Sequence, residues 1–385
     1  MLTPKASSSF FKFSSFLPKK SGRIRLSSKE IILENNSIFF SFFFKSFTNL
    51  EFFHEMRKRS IFQFLFLKFF PLNCLKKKHE TLYKSLLAFV AWVMLSVSAL
   101  AVDVIVVSHG QANDPFWSVA KNGVDKGCAD MGISCKYTAP ATFDMVEMAK
   151  LIDNAVSQKP KGIVITLPDA AALGKSVKAA IAAGIPVISM NSGSDDFASL
   201  GISAHVGQTE FEAGVGGGQK MKAAGGKKAL CVNHEVGNVA LDRRCAGFKK
   251  GFGGSVDILG TSNDPTEIQK AVAAKLGGGY DTILTLGAGL AGEAALKALE
   301  AAGKVGSVKL GTFDMSPGML KAAAAGKVEF LIDQQQYLQG YLPIAIFGQY
   351  MRYGTMPAGV VMTGPGFVTP DNAAKVIKWA AQGYR

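Results

Sequence analysis

The first 101 residues nearly lack glycine and are poor in acidic residues. Gly22 is the only glycine among them, and the other 40 glycines follow. This segment contains 16 of the 43 Lys and Arg residues, 5 of the 29 Asp and Glu residues, and 18 of the 28 Phe residues. It therefore carries a formal charge of +11, and the rest of the chain contributes only +3 to the net charge of +14. This distribution argues against a nucleic acid or another polyanion as the partner of the later part.

Residues 1–75 contain no aspartate. Their apolar residues do not recur at the spacing of a helix or a strand, so they define no buried face opposite a solvent-exposed one. We interpret much of this stretch as upstream sequence read through from a misplaced start. The alternative is a genuine basic, aromatic-rich extension.

The chain also lacks an apolar run long enough to cross a bilayer. Residues 76–101 begin with Lys76, Lys77 and Lys78, continue through the 12-residue segment 86–97, which is apolar except for Ser96, and end in Ala99-Leu100-Ala101. A spanning helix needs roughly 18–20 apolar residues, so a membrane anchor is disfavoured. The three-part pattern is typical of a secretory signal cut after a small residue. We expect cleavage after Ala101 and a soluble periplasmic protein.

The remainder has the composition of a folded protein. The whole chain is 48 % hydrophobic and 19 % charged, which excludes a disordered or collagen-like protein. From Val102 onward, short apolar runs alternate with helical patterns, and the alternation restarts near Gly207. The predicted strands are Val102–Ser108, Ser134–Thr138, Gly162–Thr166, Val187–Met190, Gly201–Val206, Ala229–Asn233, Val256–Thr261, Thr282–Leu286, Val308–Phe313 and Val328–Asp333. Two such runs predict an α/β protein with two doubly wound, Rossmann-like lobes and parallel sheets.

Motifs of catalysis are scarce. The sequence contains no HExxH, no GxSxG and no phosphate loop. Gly287–Gly292 does match GxGxxG after a predicted strand, and Asp314 ends the next strand. A nicotinamide-dependent oxidoreductase is therefore the alternative to a binding protein without cofactor or enzymatic activity.

Polar and aromatic residues follow the predicted strands, where ligands bind in open parallel sheets. Planar side chains can bridge neighbouring hydroxyls, and an aromatic face can cover the C–H face of a sugar ring. The set therefore suits a small sugar or polyol. Each residue also has a structural explanation: Asp114 as a helix cap, Phe116 and Trp117 as core, Arg244 as a surface ion pair. The candidates are Ser108, Asp114, Phe116, Trp117, Thr166, Asp169, Asn191, Arg244, Asn263, Asp314 and Gln334.

Four cysteines follow the predicted signal. Cys128 and Cys135 flank a helix-to-strand turn, and Cys231 and Cys245 lie on a strand and the next helix. Neither spacing fits a zinc or redox CxxC motif. An exported protein permits two local disulfides, and buried free thiols are the alternative.

The part after Ala101 resembles the periplasmic sugar-binding proteins of ABC transporters, of the ribose-binding-like type. The motifs that carry the resemblance are Asp114–Trp117, Arg244–Phe248, Thr312–Asp314 and Gln334. It implies two lobes joined by a hinge of three crossings, with 102–206 and about 335–360 in the first lobe and 207–334 and about 361–385 in the second. It also implies a ligand held by these residues, a membrane ABC permease as partner, and a monomer.

Departures from the ribose-binding pattern bear on the ligand. Ser192 replaces an arginine, Thr166 replaces an asparagine, and Gly287 or Ala288 stands where an asparagine is expected. These changes remove several ribose contacts.

Sugar-responsive repressors share the lobes but carry a DNA-binding motif where this chain has an export signal. A chemoreceptor ligand-binding or quorum-signal protein is a further alternative.

The export prediction is testable by intact-mass measurement of secreted protein. We expect a mature chain that starts at Val102, because the small residue at 101 ends the signal pattern. A retained apolar segment 86–97 or a lipid adduct would contradict this assignment.

Overall fold

A computed structural model describes residues 102–110 and 114–385. The predicted signal and the extension before it lie outside the described residues. Within the described part, no helix is long and apolar enough to cross a membrane.

The first lobe is built on a six-stranded sheet in the order β11-β5-β4-β3-β1-β2, with every neighbouring pair parallel. Helices α1 to α3 connect the early strands, and helix α9 returns to this lobe from the other one. The elements are β1 Val104–Val107, α1 Pro115–Met131, β2 Cys135–Thr138, α2 Met145–Ser157, β3 Gly162–Ile165, α3 Ala170–Ala182, β4 Val187–Asn191, β5 Ala204–Gly207, α9 Gln336–Tyr353 and β11 Gly359–Met362.

The second lobe repeats this plan with the order β12-β10-β9-β8-β6-β7. Its strands are parallel except β12, which runs antiparallel to β10. The elements are α4 Glu210–Ala223, β6 Lys228–Asn233, α5 Val239–Phe252, β7 Ser255–Gly260, α6 Pro265–Lys275, β8 Thr282–Thr285, α7 Glu293–Ala301, β9 Lys309–Phe313, α8 Pro317–Ala324, β10 Phe330–Asp333, β12 Gly366–Val368 and α10 Pro370–Ala380.

The predicted fold class is confirmed, with two differences in detail. The short strands β11 and β12 were not predicted. Strand β11 pairs with β5 through Met362, so the first lobe extends two residues past the expected limit of about 360. Strand β12 makes the second sheet mixed rather than purely parallel.

Both faces of each sheet are covered by helices. In the first lobe, Ile105 and Val107 face α2 and α3, whereas Val104 and Val106 face α1 and α9. All four side chains are buried, which explains why β1 is a continuous apolar run without alternation. The second lobe has the same two-sided core, formed by the clusters around Val232 and Phe248.

Three crossings join the lobes, near Gln208, Gln334 and Thr363. The Thr363 amide donates to the Gly207 carbonyl at 2.7 Å, and its hydroxyl lies 2.7 Å from the Gln334 carbonyl oxygen. The Gln335 side chain donates to the Thr363 carbonyl at 2.7 Å. The crossings are therefore hydrogen-bonded to one another and form one hinge.

Two disulfides lie within the lobes. Cys128 on α1 is bonded to Cys135 on β2, and Cys231 on β6 is bonded to Cys245 on α5. The second bond fixes α5 to β6, the strand beside the edge strand β7, one residue after Arg244.

Glycines allow α1 and α9 to approach closely. A Cβ added to Gly340 would lie 2.0 Å from the Ala120 carbonyl oxygen, and one added to Gly123 would lie 2.0 Å from the Tyr337 carbonyl oxygen. The two helix backbones are therefore in direct contact, and any side chain at these positions would force them apart.

We expect Gly340→Ala to lower the free energy of unfolding by about 1–3 kcal/mol, because the added methyl group overpacks this contact. Gly277→Ala is the matched control, since nothing lies within 4 Å of its added Cβ. Urea denaturation of both variants measures the effect. Equal stability of the two variants would contradict the close approach.

Candidate ligand-binding cleft

The carboxyl ends of the parallel strands in both lobes meet at one cleft. The segment after β1 brings Ser108 and His109 to it, and β3 and β4 bring Thr166 and Asn191. From the second lobe, His234 and Glu235 follow β6, Gly287 follows β8, and Asp314 follows β9. The polar side chains among these residues are all buried.

The lobes contact each other across the cleft. The Val239 amide donates to the Pro168 carbonyl at 3.0 Å, and Arg243 forms an ion pair with Asp195 at 2.6 Å. A Cβ added to Gly289 would lie 2.9 Å from Pro115 Cδ. The structure therefore has the closed arrangement of the two lobes.

His109 belongs to the first-lobe wall of the cleft, after β1. Thr166 Oγ1 accepts from the His109 amide at 2.9 Å and lies 2.8 Å from His109 Nδ1. Burial, with the nearby Arg244 and His234, lowers the pKa of His109 to about 3. The imidazole is therefore neutral at pH 7, and its 3.8 Å approach to Glu235 Oε2 is a polar contact rather than an ion pair.

Phe116 and Trp117 form the support behind this wall. Both belong to the apolar cluster around β1, and Trp117 is 8 % exposed. The indole makes an edge contact with the His109 ring at 4.7 Å. A Cβ added to Gly110 would lie 2.2 Å from the indole, so the Gly110 backbone also covers it. The structure thus gives these two residues the core packing that was the alternative to sugar stacking.

Asp114 has the capping role that its sequence position allows. Its side chain accepts from the Phe116 amide at 3.0 Å at the start of α1. Burial, reinforced by the Glu235 charge, raises the pKa of Asp114 to about 6 despite this hydrogen bond. One oxygen of this carboxyl faces the second lobe at Gly289.

Ser108 is buried, and its hydroxyl forms a hydrogen bond with the Tyr137 hydroxyl at 2.7 Å.

Arg244 is buried and fully oriented rather than a surface residue. It donates to both carboxylate oxygens of Glu210, at 2.5 and 3.2 Å, and to the Leu286 carbonyl at 3.0 Å. Its guanidinium carbon lies 4.4 Å from the centre of the Phe313 ring. This sequence candidate therefore lies in the cleft, and the structure adds Glu210, which sequence analysis missed.

Asn191, Gln334 and Asp314 form a hydrogen-bonded chain at the hinge side of the cleft. Asn191 donates to Gln334 Oε1 at 3.2 Å, and Gln334 Nε2 donates to Asp314. Burial raises the pKa of Asp314 to about 7, and Arg244 and Gln334 oppose this shift without cancelling it. Asn191 and Asp314 both adopt positive φ, a conformation that asparagine and aspartate accept more readily than most residues.

Asp169 and Asn263 differ from the other candidates. Asp169 is partly exposed and caps α3, accepting from the Ala171 and Ala172 amides at 2.8 and 3.0 Å. Asn263 follows β7, and its amide oxygen is buried without a hydrogen-bond partner among the described residues. Capping therefore accounts for Asp169, whereas no hydrogen bond among the described residues accounts for the side-chain oxygen of Asn263.

The glycines of the GxGxxG motif are explained by packing within the protein. An added Cβ would lie 2.8 Å from the His234 ring at Gly287, 2.9 Å from Pro115 at Gly289, and 3.1 Å from Thr312 at Gly292. The residues Ala288–Gly292 form a π-helical turn that leads into α7. The motif therefore needs no dinucleotide to account for it.

The cleft also contains His109, His234 and Glu235, which were not among the ligand-binding candidates. The available signal was their place directly after β1 and β6. Burial lowers the pKa of His234 to about 4, so this histidine is neutral at pH 7. Its Nδ1 atom is buried without a hydrogen-bond partner among the described residues.

Comparison with known proteins agrees with this architecture. The periplasmic binding protein domain family matches residues 104–355. The chain belongs to the periplasmic binding protein family. The xylose/arabinose-binding protein XylF of Sulfolobus acidocaldarius is 24 % identical to it over 291 residues, which cover 70 % of this chain and 71 % of that protein. The ribose import binding protein RbsB of Salmonella typhimurium is 28 % identical over 253 residues, 62 % of this chain and 82 % of that protein.

A solved structure is also similar to this periplasmic binding protein. The carbohydrate transporter from Acidothermus cellulolyticus 11B, in complex with myo-inositol, is 33 % identical with a TM-score of 0.70. The match covers 73 % of this chain and 99 % of that chain. Two of these relatives are named sugar-binding proteins, and the third is a carbohydrate transporter that holds myo-inositol. The expected family is confirmed, and the chain has a solute-binding role.

Asp169 was predicted as a ligand contact, and the structure shows it as the cap of α3; these two roles predict different results. We expect Asp169→Ala to lower the free energy of unfolding by about 0.5–2 kcal/mol through the lost cap and to leave ligand affinity unchanged. Asp264→Ala is the matched control, because Asp264 caps α6 with the same pair of distances. Denaturation and calorimetric titration measure the two quantities. A loss of affinity confined to Asp169→Ala would make Asp169 a ligand contact.

Proposed function

We propose that this protein captures a small neutral sugar or polyol in the cleft and delivers it to a membrane ABC permease. The observation that carries the proposal is the concentration of buried polar groups at the strand ends of both lobes. Carboxylates, amides and the Arg244 guanidinium together offer acceptors and donors within one closed cleft. Hydroxyl groups both donate and accept, so they match a mixed set of this kind.

Buried polar atoms without partners support a ligand with several hydroxyls. His234 Nδ1 and Asn263 Oδ1 are both in this state among the described residues. A buried polar atom that lacks a hydrogen bond costs roughly 1–3 kcal/mol. Two hydroxyls of a bound ligand would remove this cost at both atoms.

The named relatives support the same chemistry. They bind xylose or arabinose, import ribose, or hold myo-inositol. Five-carbon sugars and a six-carbon cyclitol share a compact ring or chain with adjacent hydroxyls. We infer the same class of ligand for this cleft and not a specific member of it.

The mechanism follows from the position of the cleft between the lobes. A ligand that contacts both lobes makes contacts in the closed state that the open state lacks, so it shifts the equilibrium toward closure. The hinge at Gln208, Gln334 and Thr363 permits this movement. The histidines of the cleft are neutral and serve as hydrogen-bonding groups, which suits binding without a chemical step. We infer an exported protein without enzymatic activity.

A thermal-shift screen of monosaccharides, cyclitols and linear polyols tests the proposal. A ligand that binds only the folded state raises the melting temperature. At a concentration 100 times Kd, it adds about 2.7 kcal/mol to the free energy of unfolding. We expect at least one sugar or polyol to do so and NAD to have no effect. Stabilisation by NAD alone, or by no member of the panel, would contradict the proposal.

Replacing Arg244 tests its part in the site. We expect Arg244→Ala to weaken binding of the best ligand by about 1.5–3 kcal/mol, because a charge-assisted hydrogen bond is lost. Arg244→Lys keeps the charge beside Glu210 and serves if the alanine variant does not fold. Arg243→Ala is the neighbouring control and should lose less than about 1 kcal/mol, since its ion pair is exposed. Unchanged affinity in folded Arg244 variants would remove Arg244 from the site.

A further inference from the structure

We propose that Glu210 is a positioning residue, which holds the guanidinium of Arg244 in the orientation that the ligand requires. The part of this proposal that concerns ligand binding rests on the proposed function, whereas the orientation of Arg244 can be measured without any ligand. None of the sequence motifs that indicated the cleft includes Glu210.

Glu210 holds one edge of the guanidinium plane. Arg244 Nε donates to one carboxylate oxygen at 2.5 Å, and Nη2 donates to the other at 3.2 Å. This two-point contact fixes the direction of the plane, which a single hydrogen bond would leave free to rotate. The Phe313 ring, 4.4 Å from the guanidinium carbon, supports one face.

The donor count leaves part of Arg244 for a ligand. A guanidinium has five N–H donors. Two of them bind Glu210, and a third, from Nη1, binds the Leu286 carbonyl at 3.0 Å. Among the described residues, one N–H on Nη1 and one on Nη2 therefore have no hydrogen-bond partner. Such a pair matches two neighbouring hydroxyl oxygens, provided that the plane stays fixed.

The position of Glu210 ties this orientation to the hinge. It is the first residue of α4, and the first crossing between the lobes lies immediately before it. Gln208 in that crossing donates to the Glu210 carboxylate at 3.1 Å. The carboxylate is thus held from the hinge side and, in turn, holds Arg244 on the cleft side.

A contribution to stability does not by itself explain why the protein buries the ion pair of Arg244 and Glu210. The side chains of Arg244 and Glu210 are 4 % and 1 % exposed. Removing two charges from water is costly, and well-packed apolar residues often serve stability equally well. A buried pair that orients a donor in a binding cleft has a functional reason to be there.

The binding arm compares Glu210→Gln, Arg244→Ala and the double variant by calorimetry with the best ligand of the panel. We expect Glu210→Gln to weaken binding about tenfold, the order expected for a lost hydrogen bond to a charge. We expect the double variant to bind as Arg244→Ala does, within about twofold, because Glu210 acts through Arg244. Losses that multiply in the double variant would overturn the proposal.

Two further variants separate positioning from general damage. Glu210→Asp retains the charge and should recover part of the affinity lost in Glu210→Gln. Glu293→Gln is the matched control, since Glu293 also begins a helix and accepts a hydrogen bond, from Ser316 at 2.6 Å. It should leave affinity unchanged. An equal loss in Glu293→Gln, or no recovery in Glu210→Asp, would make the role of Glu210 merely structural.

The ligand-free arm follows the Arg244 Nε–Hε signal by nuclear magnetic resonance, assigned by its absence in Arg244→Lys. We expect slow exchange with water in the unmodified protein and exchange at least about ten times faster in Glu210→Gln, because protection depends on the hydrogen bond. The Arg243 signal should not change. Unaltered protection of Arg244 in Glu210→Gln would overturn the positioning role even if no sugar binds.

Discussion

Gln334 connects the two lobes at the base of the cleft, and the arrangement of the cleft depends on its hydrogen bonds. It accepts from Asn191 at the end of the fourth strand of the first lobe and donates to Asp314 in the second. Its own carbonyl lies 2.7 Å from the Thr363 hydroxyl in the third crossing. A rotation of one lobe against the other therefore changes the distance between Asn191 and Asp314. Residues of the hinge and residues of the cleft are therefore parts of one hydrogen-bonded chain.

Burial determines the charge state of the cleft. It keeps His109 and His234 neutral at pH 7 and raises the pKa of Asp314 to about 7. Arg244 remains charged because the Glu210 carboxylate lies against it. The cleft thus presents neutral and charged hydrogen-bonding groups together, which fits an uncharged ligand rich in hydroxyls better than a phosphorylated one.

The sequence predicted the fold well because buried parallel strands leave a strong signal. The run 104–107 is apolar on both faces, and Pro115 marks the start of a helix. The strands β11 and β12 were missed because both are edge strands that flank the third crossing with no helix between them, outside the strand–helix alternation. Arg244 on α5 and Asp314 at the end of β9 were predicted as ligand-binding candidates together with Asp169, which caps a helix. Spacing alone cannot separate these roles. Glu210 was missed because an acid at a helix start is ordinary, and only its distance to Arg244 reveals more.

The central claim is that one small polyhydroxylated ligand contacts both lobes and stabilises their closed arrangement. Small-angle X-ray scattering of the protein, with and without a saturating amount of the best ligand of the thermal-shift panel, tests this claim most directly. We predict that the radius of gyration decreases on saturation, because the ligand-free population includes open molecules and the liganded population does not. Binding that is confirmed by calorimetry but leaves the radius of gyration unchanged would contradict closure around the ligand.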